Sequence, residues 1–252
     1  MKVTLADRVV IVTGAASGIG RSVAEAVAGA GVGGLILTDR EDSVAGVAET
    51  LGAQHIIAEL ASPDASAIIA DATVAAFGRI DGLVNAAGLT TRGSVAEGTL
   101  AVWDNLMAVN ARAPFFLMQR VIADVMQRNA TGSIVNILSM NAHCGVPELG
   151  IYAGTKGALA TLTKNAANAH MAVGIRVNGI NLGWVATPSE DHIQREIKGP
   201  DWQAEVGASK PWGRLLQADE AARLALYLLS AVSAPLTGAL IDLEQHVTGA
   251  IA

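Results

Sequence analysis

Tyr152 and Lys156 stand four residues apart in Tyr152-Ala153-Gly154-Thr155-Lys156, at the head of a long Ala-rich stretch. On a helix, residues i and i+4 share one face. A free tyrosine has a pKa of about 10 and is a poor base at neutral pH. A neighbouring ammonium favours the phenolate, so Lys156 is expected to lower that value. The pair therefore points to proton transfer, and the same Lys156 could hydrogen-bond ribose hydroxyls. Ser139 ends the run Val135-Asn136-Ile137-Leu138-Ser139, and its hydroxyl could hold a substrate oxygen across the intervening loop. Taken alone, Tyr-x-x-x-Lys also describes an ordinary surface pair.

A second constellation lies near the start. Val9-Val10-Ile11-Val12-Thr13 runs into Gly14-Ala15-Ala16-Ser17-Gly18-Ile19-Gly20 and then a helical pattern. Glycine permits a sharp turn and close approach of a phosphate to the backbone. The helix start adds free N–H groups and a positive dipole end. The spacing is GxxxGxG; no Lys-Ser/Thr follows, which excludes a Walker A loop. Asp39 ends the next apolar run. A carboxylate there can accept hydrogen bonds from both ribose hydroxyls of an adenosine and repels a 2′-phosphate. That favours NAD over NADP, although the guanidinium of Arg40 could pair with such a phosphate.

These groups need a frame. Short apolar runs at 8–13, 34–39, 55–58, 82–85, 133–139, 176–181 and 239–243 alternate with amphipathic stretches at 19–30, 63–77, 100–129, 152–173 and 219–231. Runs apolar throughout need cover on both faces. Regular alternation predicts an α/β fold, one doubly wound Rossmann-type parallel sheet of about seven strands with helices on both faces. No linker or repeat interrupts it, so 1–252 reads as a single dinucleotide-binding and catalytic domain. The least regular part, 183–210, reads as a substrate lid.

Composition excludes other classes. With 17 Lys+Arg against 23 Asp+Glu and no basic cluster, nucleic acid is a poor partner. No apolar stretch reaches the roughly 18 residues of a membrane span. The start carries no signal-peptide pattern, which predicts a cytoplasmic enzyme. The single Cys144 forbids a Cys-based metal cage, and no metal is expected. Only 16% of residues are charged, hinting at surface buried between copies of the chain.

Together these residues resemble the short-chain dehydrogenase/reductase family, in its branch of about 250 residues, over nearly the whole chain. Thr13-Gly14-Ala15-Ala16-Ser17-Gly18-Ile19-Gly20 is similar to its TGxxxGIG turn. Asn85-Ala86-Ala87-Gly88 resembles its NNAG element, and Asn110 falls at its structural-catalytic asparagine. Ser139, Tyr152 and Lys156 match its Ser…YxxxK set; Gly213-Arg214 and Thr237-Gly238 match later landmarks. The resemblance implies Tyr152 as acid/base and Ser139 as the group that polarises the substrate oxygen. It implies Lys156 as the group that tunes Tyr152 and binds the nicotinamide ribose. A water on the Asn110 backbone carbonyl would continue a proton relay. It implies cofactor contacts from Gly14, Ser17, Gly18, Ile19, Gly20, Asp39, Glu59, Leu60, Asn85, Ala86, Ala87, Gly88, Tyr152, Lys156, Gly183, Val185 and Thr187. It also implies a homotetramer packed through the helices that begin near Leu100 and Tyr152.

The chain departs from the family at three places. Glu59-Leu60 stands where an Asp usually meets adenine, Leu182 replaces a Pro before Gly183, and Leu243-Glu244-Gln245-His246 replaces Asp-Gly-Gly. Substrate contacts are expected from Ser139, Asn141, His143, Tyr152 and Trp184, while Cys144 reads as packing and Trp202 as a lid anchor. The polar cluster from Glu190 to Lys198 reads as a solvated helical face, with Arg195 open to an anionic substrate. The polar loop of Asn141, His143 and Glu148, with Gln245-His246, points to sugars and polyols. The expected activity is an NAD-dependent dehydrogenase of secondary alcohols or hemiacetals. The alternatives are an NADPH-dependent carbonyl or 3-oxoacyl reductase, and an NAD-binding protein without turnover.

Overall fold

The computed structural model describes residues 3–248. Its frame is a seven-stranded sheet, β1 (Val9–Thr13), β2 (Gly34–Asp39), β3 (Gln54–Ile57), β4 (Gly82–Asn85), β5 (Gly132–Ser139), β6 (Ile175–Leu182) and β9 (Leu240–Leu243). All six pairings are parallel, in the order β3-β2-β1-β4-β5-β6-β9. A two-stranded ribbon, β7 (Val185–Ala186) with β8 (Leu216–Gln217), lies apart from it. The expected doubly wound sheet is therefore present.

Strand alternation divides the core. Val10, Val12, Leu35, Leu37, Val135 and Ile137 pack against α1 (Gly18–Gly29), α2 (Val44–Leu51) and α9 (Ala218–Leu229). Ile11, Ile36, Leu83, Ile134 and Leu138 face α3 (Ala65–Phe77), α5 (Ala113–Gln127) and α6 (Gly150–His170). Successive side chains on a strand point to opposite faces, so each all-apolar run feeds two clusters. On α6, whose Ala-rich face is expected to pack on another copy, Ala160 and Ala167 instead belong to the core of the chain itself.

α4 (Leu100–Met107) joins α5 through a π turn, Ala108–Arg112, that contains Asn110. Such turns widen the helix and recur at functional sites. The segment 183–210 is not irregular, as expected, but folds into α7 (Pro188–Lys198) and α8 (Trp202–Ala208). Thr187 caps α7, accepting from the Glu190 N–H, and Pro188 opens it.

At the amino ends of the strands the buried Asp81 carboxylate takes a bidentate fork from Arg79 (2.7 and 2.8 Å) and a bond from Arg128 (3.2 Å). It also accepts the Val9 N–H at 2.9 Å, pegging β1 beside β4.

Candidate active site

The strand order reverses between β1 and β4, which flank each other though distant in sequence. Ligands in open α/β sheets bind beyond the carboxyl ends of strands at such a switch point. A cleft of about 870 Å³ opens there, reached by Gly14, Asp39, Ser139 and Leu182.

At one end the glycine turn is built for an anion. Gly14 and Gly18 have φ of 69° and 54°, values that L side chains rarely adopt. A Cβ on Gly20 would stand 2.1 Å from the Gly14 carbonyl oxygen, so the helix closes directly onto its own turn. Ser17 precedes α1 without a side-chain cap, leaving first-turn N–H groups for a ligand. Asp39 accepts from the Ala16 N–H (3.0 Å) and the Glu41 N–H (3.1 Å), tying the turn to the end of β2. Arg40 is paired with Glu41, and both line the cleft. Glu59 also lines it, its carboxylate on the Ala61 N–H, beside Leu60. Gly14, Ser17, Gly18, Ile19, Gly20, Ala86, Ala87, Gly88, Gly183, Val185 and Thr187 complete this wall. Thr187 sits against Gly18, so the capping residue of α7 covers the turn.

At the other end Ser139, Tyr152 and Lys156 meet. Ser139 Oγ accepts from the Asn141 N–H (3.2 Å) and from Asn141 Nδ2 (3.1 Å). With both donors on its oxygen, the hydroxyl hydrogen is left for another acceptor. Lys156 Nζ donates to the Ile137 carbonyl (2.8 Å) and lies 5.8 Å from the centre of the Tyr152 ring. Its remaining donors face a cleft whose Gly88 has no Cβ, since one there would come within 3.4 Å of Nζ.

The electrostatics correct the expectation for Tyr152. Its phenol stands above its ordinary value because burial dominates; the Ser139 hydroxyl works against this, and the Glu190 charge adds to it. Burial also pushes the Lys156 ammonium down to about 8. Lys156 is still mostly charged at neutral pH but gives up its proton above about 8, where a phenolate would form, so it is there a weaker partner than the sequence alone implies.

A family model described as enoyl-(acyl carrier protein) reductase matches residues 14–245. The chain is 30% identical to a short chain dehydrogenase/reductase from Aspergillus oryzae, covering 98% of this chain and 97% of that protein. The chain belongs to the short-chain dehydrogenase/reductase family. It is an oxidoreductase. It is also similar to 2-(S)-hydroxypropyl-CoM dehydrogenase 3 of Xanthobacter autotrophicus, 30% identical over 97% of this chain and 98% of that one. A solved structure from Beutenbergia cavernae, described as a candidate NAD(P)-dependent gluconate 5-dehydrogenase with NADP bound at low occupancy, superposes with a TM-score of 0.88. It is 29% identical and covers 97% of this chain and 98% of its own.

Within this family member several expected residues lie elsewhere. The Asn85 side chain is buried and points away from the cleft, donating to Asn136 Oδ1 across β4 and β5 (2.8 Å). Asn110 is also buried, with Oδ1 on the Leu89 N–H (2.8 Å) and Nδ2 on the Leu89 carbonyl (2.9 Å) and Thr155 (3.1 Å). That side chain is fully committed, which is compatible with the expected role, since the relay rests on the main-chain carbonyl. His143 is outside the cleft, on Asp242 at 3.1 Å, and Glu148 is exposed. Asn141 lines the cleft, but its Oδ1 is held by the Val146 N–H and its Nδ2 by Ser139. Cys144 is exposed rather than packed. Arg195 pairs with Asp191 and does not line the cleft. Gln245 fastens the segment that follows α8, accepting the Trp212 N–H and donating to the Arg214 carbonyl.

Trp184 lines the cleft as expected, and Trp202 is fully buried beneath it, rings 5.7 Å apart. Sequence reasoning missed Glu190 and Gln194, both in the cleft wall. Their spacing of i and i+4 was the available signal, masked by the charged run around them.

Proposed function

We propose that this chain is a nicotinamide-dependent dehydrogenase. It moves a hydride between a secondary alcohol, or sugar hemiacetal, of a polar small molecule and the matching carbonyl. The observation that carries this reading is the meeting of Ser139, Tyr152 and Lys156 in one cleft with an uncapped, glycine-lined helix start.

The residues present fit such a cofactor. The positive-φ glycines form a cradle that a Cβ would fill, and Asp39 offers acceptors at the adenosine end. The glycine turn would hold the pyrophosphate, Asp39 and Glu59 the adenosine, and Lys156 with Val185 and Thr187 the nicotinamide end. When bound, the dinucleotide supplies hydride transfer at its nicotinamide ring. The chain's own residues manage the proton. Ser139 donates its free hydrogen to the substrate oxygen. Tyr152 accepts the hydroxyl proton in oxidation and returns it in reduction. Lys156, linked to solvent by a water that the Asn110 main-chain carbonyl would hold, restores the phenol. Residues 183–210 act as the lid, with Trp202 as its anchor.

NAD is the favoured cofactor on this reading, because the Asp39 carboxylate would repel a 2′-phosphate. A second reading, an NADPH-dependent carbonyl reductase, is favoured by the NADP in the Beutenbergia cavernae structure and by Arg40 at the cleft edge. Rates with NAD and NADP separate the two; an NADP preference would sink the Asp39 argument. Turnover unchanged in Tyr152→Phe would sink the mechanism itself.

The same reading takes the protein as a cytoplasmic homotetramer. Support comes from Leu100, Trp103, Phe115 and Phe116, which are exposed on α4 and α5. No helix among the described residues is long and apolar enough to cross a membrane. Light scattering showing a monomer would refute the tetramer.

A further inference from the structure

Helix α7 turns two side chains toward the cleft. Glu190 Oε1 accepts two hydrogen bonds, from Trp184 Nε1 and from Gln194 Nε2, each at 2.9 Å. Its second oxygen, Oε2, takes neither. Gln194, one turn on, is 5% exposed and spends its Nε2 on Glu190, leaving its Oε1 buried without a partner. That oxygen has no surface that a ligand could touch, so Gln194 acts by holding Glu190 in place. The group left over at the cleft wall is the Glu190 Oε2, an acceptor.

We propose that Glu190, held by Trp184 and Gln194, is the specificity-determining residue of this enzyme, accepting a hydroxyl hydrogen of a neutral polyhydroxy substrate and turning away a carboxylate. The inference rests on the oxidoreductase reading above and names its substrate class. A carboxylate beside Glu190 meets like charge in a part-buried wall, where Coulomb repulsion is strong. A substrate without a further hydroxyl leaves the Glu190 Oε2 unmatched, and sites built to pair a hydroxyl discriminate strongly against its absence. Glu190 shares the cleft with the reacting end, which Ser139 and Tyr152 line. Four cations line the same cleft; Arg40 and Lys156 are assigned above to the cofactor, and the other two offer a carboxylate its rival seat. Lys210 has its Nζ 6.0 Å from the centre of the Trp184 ring, and Arg92 is exposed.

The test is equilibrium titration with D-sorbitol and D-gluconate, each with NAD and with NADP present. It is run on the full chain and on Glu190→Gln and Gln194→Met, with thermal melts to confirm folding. Cyclohexanol oxidation is assayed alongside. The expected result is sorbitol bound about tenfold or more tighter than gluconate, the scale of one well-placed discriminating contact. Glu190→Gln should shrink that ratio about fivefold through stronger gluconate binding, and Gln194→Met, which removes one of the two bonds that hold Glu190, should shrink it about twofold. Equal or reversed preference, binding of neither probe, or an unchanged ratio in folded Glu190→Gln overturns the proposal. Sorbitol preference without turnover of any alcohol sinks the oxidoreductase reading alone. Cyclohexanol turnover without that preference sinks this inference alone.

Discussion

Asn141 delivers two hydrogen bonds to the Ser139 hydroxyl, one from its backbone at 3.2 Å and one from its side-chain amide at 3.1 Å. A hydroxyl has one hydrogen and two lone pairs, so Ser139 is left to act as a donor. Asn141→Ala removes one of the two and frees the hydroxyl to rotate. We expect kcat to fall about tenfold with the cofactor KM unchanged, against about 100-fold for Ser139→Ala. Steady-state kinetics of the two variants check the split. Equal losses would show that Asn141 does more than hold Ser139.

Tyr152 is the second prediction. Burial raises its phenol, so the phenolate is scarce at neutral pH and the group is poised as an acid. Alcohol oxidation should therefore rise with pH through the alkaline range, while carbonyl reduction is already full at neutrality. Because the Glu190 charge adds to the rise, Glu190→Gln should move the oxidation limb to lower pH. Tyr152→Phe should cost at least about 100-fold at every pH. A pH profile of kcat in each direction reads all three.

Burying Lys156 carries a stability cost. Its value falls from 10.5 to about 8 on folding, so between those limits the unfolded chain binds more protons. The cost is full below about 8 and is relieved as pH rises toward 10.5. Lys156→Met should raise stability by about 2 kcal/mol at pH 7 while abolishing activity. That gain should shrink above pH 8, which urea unfolding at several pH values would show.

Asp81 behaves in the opposite sense. Burial works to raise its carboxyl, but the bonds from Arg79 and Val9 and the Arg128 charge outweigh it, and the net value lies below the usual range. Its contribution is present above the unfolded value and lost as pH falls through the folded one. Asp81→Asn should destabilise by about 2 kcal/mol at pH 7, since it takes away the carboxylate partner of Arg79, whereas Arg128 keeps Asp124. Activity at low temperature should be retained, because the peg is at the opposite end of the strands from the cleft.

Gly20→Ala should abolish cofactor binding. Its Cβ would stand 2.1 Å from the Gly14 oxygen, which forces the turn apart. Fluorescence titration with either dinucleotide is the measurement, with circular dichroism to show that the sheet survives.

Much of this architecture was legible in the chain itself. Local grammar was enough for the strand-turn-helix at Gly14 to Gly20, the i, i+4 face of Tyr152 and Lys156, and the alternation that makes a parallel sheet. These depend on backbone conformation and periodicity, which neighbouring residues dictate. Three matters belonged to the tertiary structure alone. Whether Asn85 or Glu190 faces the cleft depends on which side of a distant element covers it. His143 left the pocket because Asp242, a residue remote in sequence, lies 3.1 Å away. The Tyr152 and Lys156 values were decided by burial, which sums over every element packed around them, and so outweighed the pairwise charge effect that their spacing predicts.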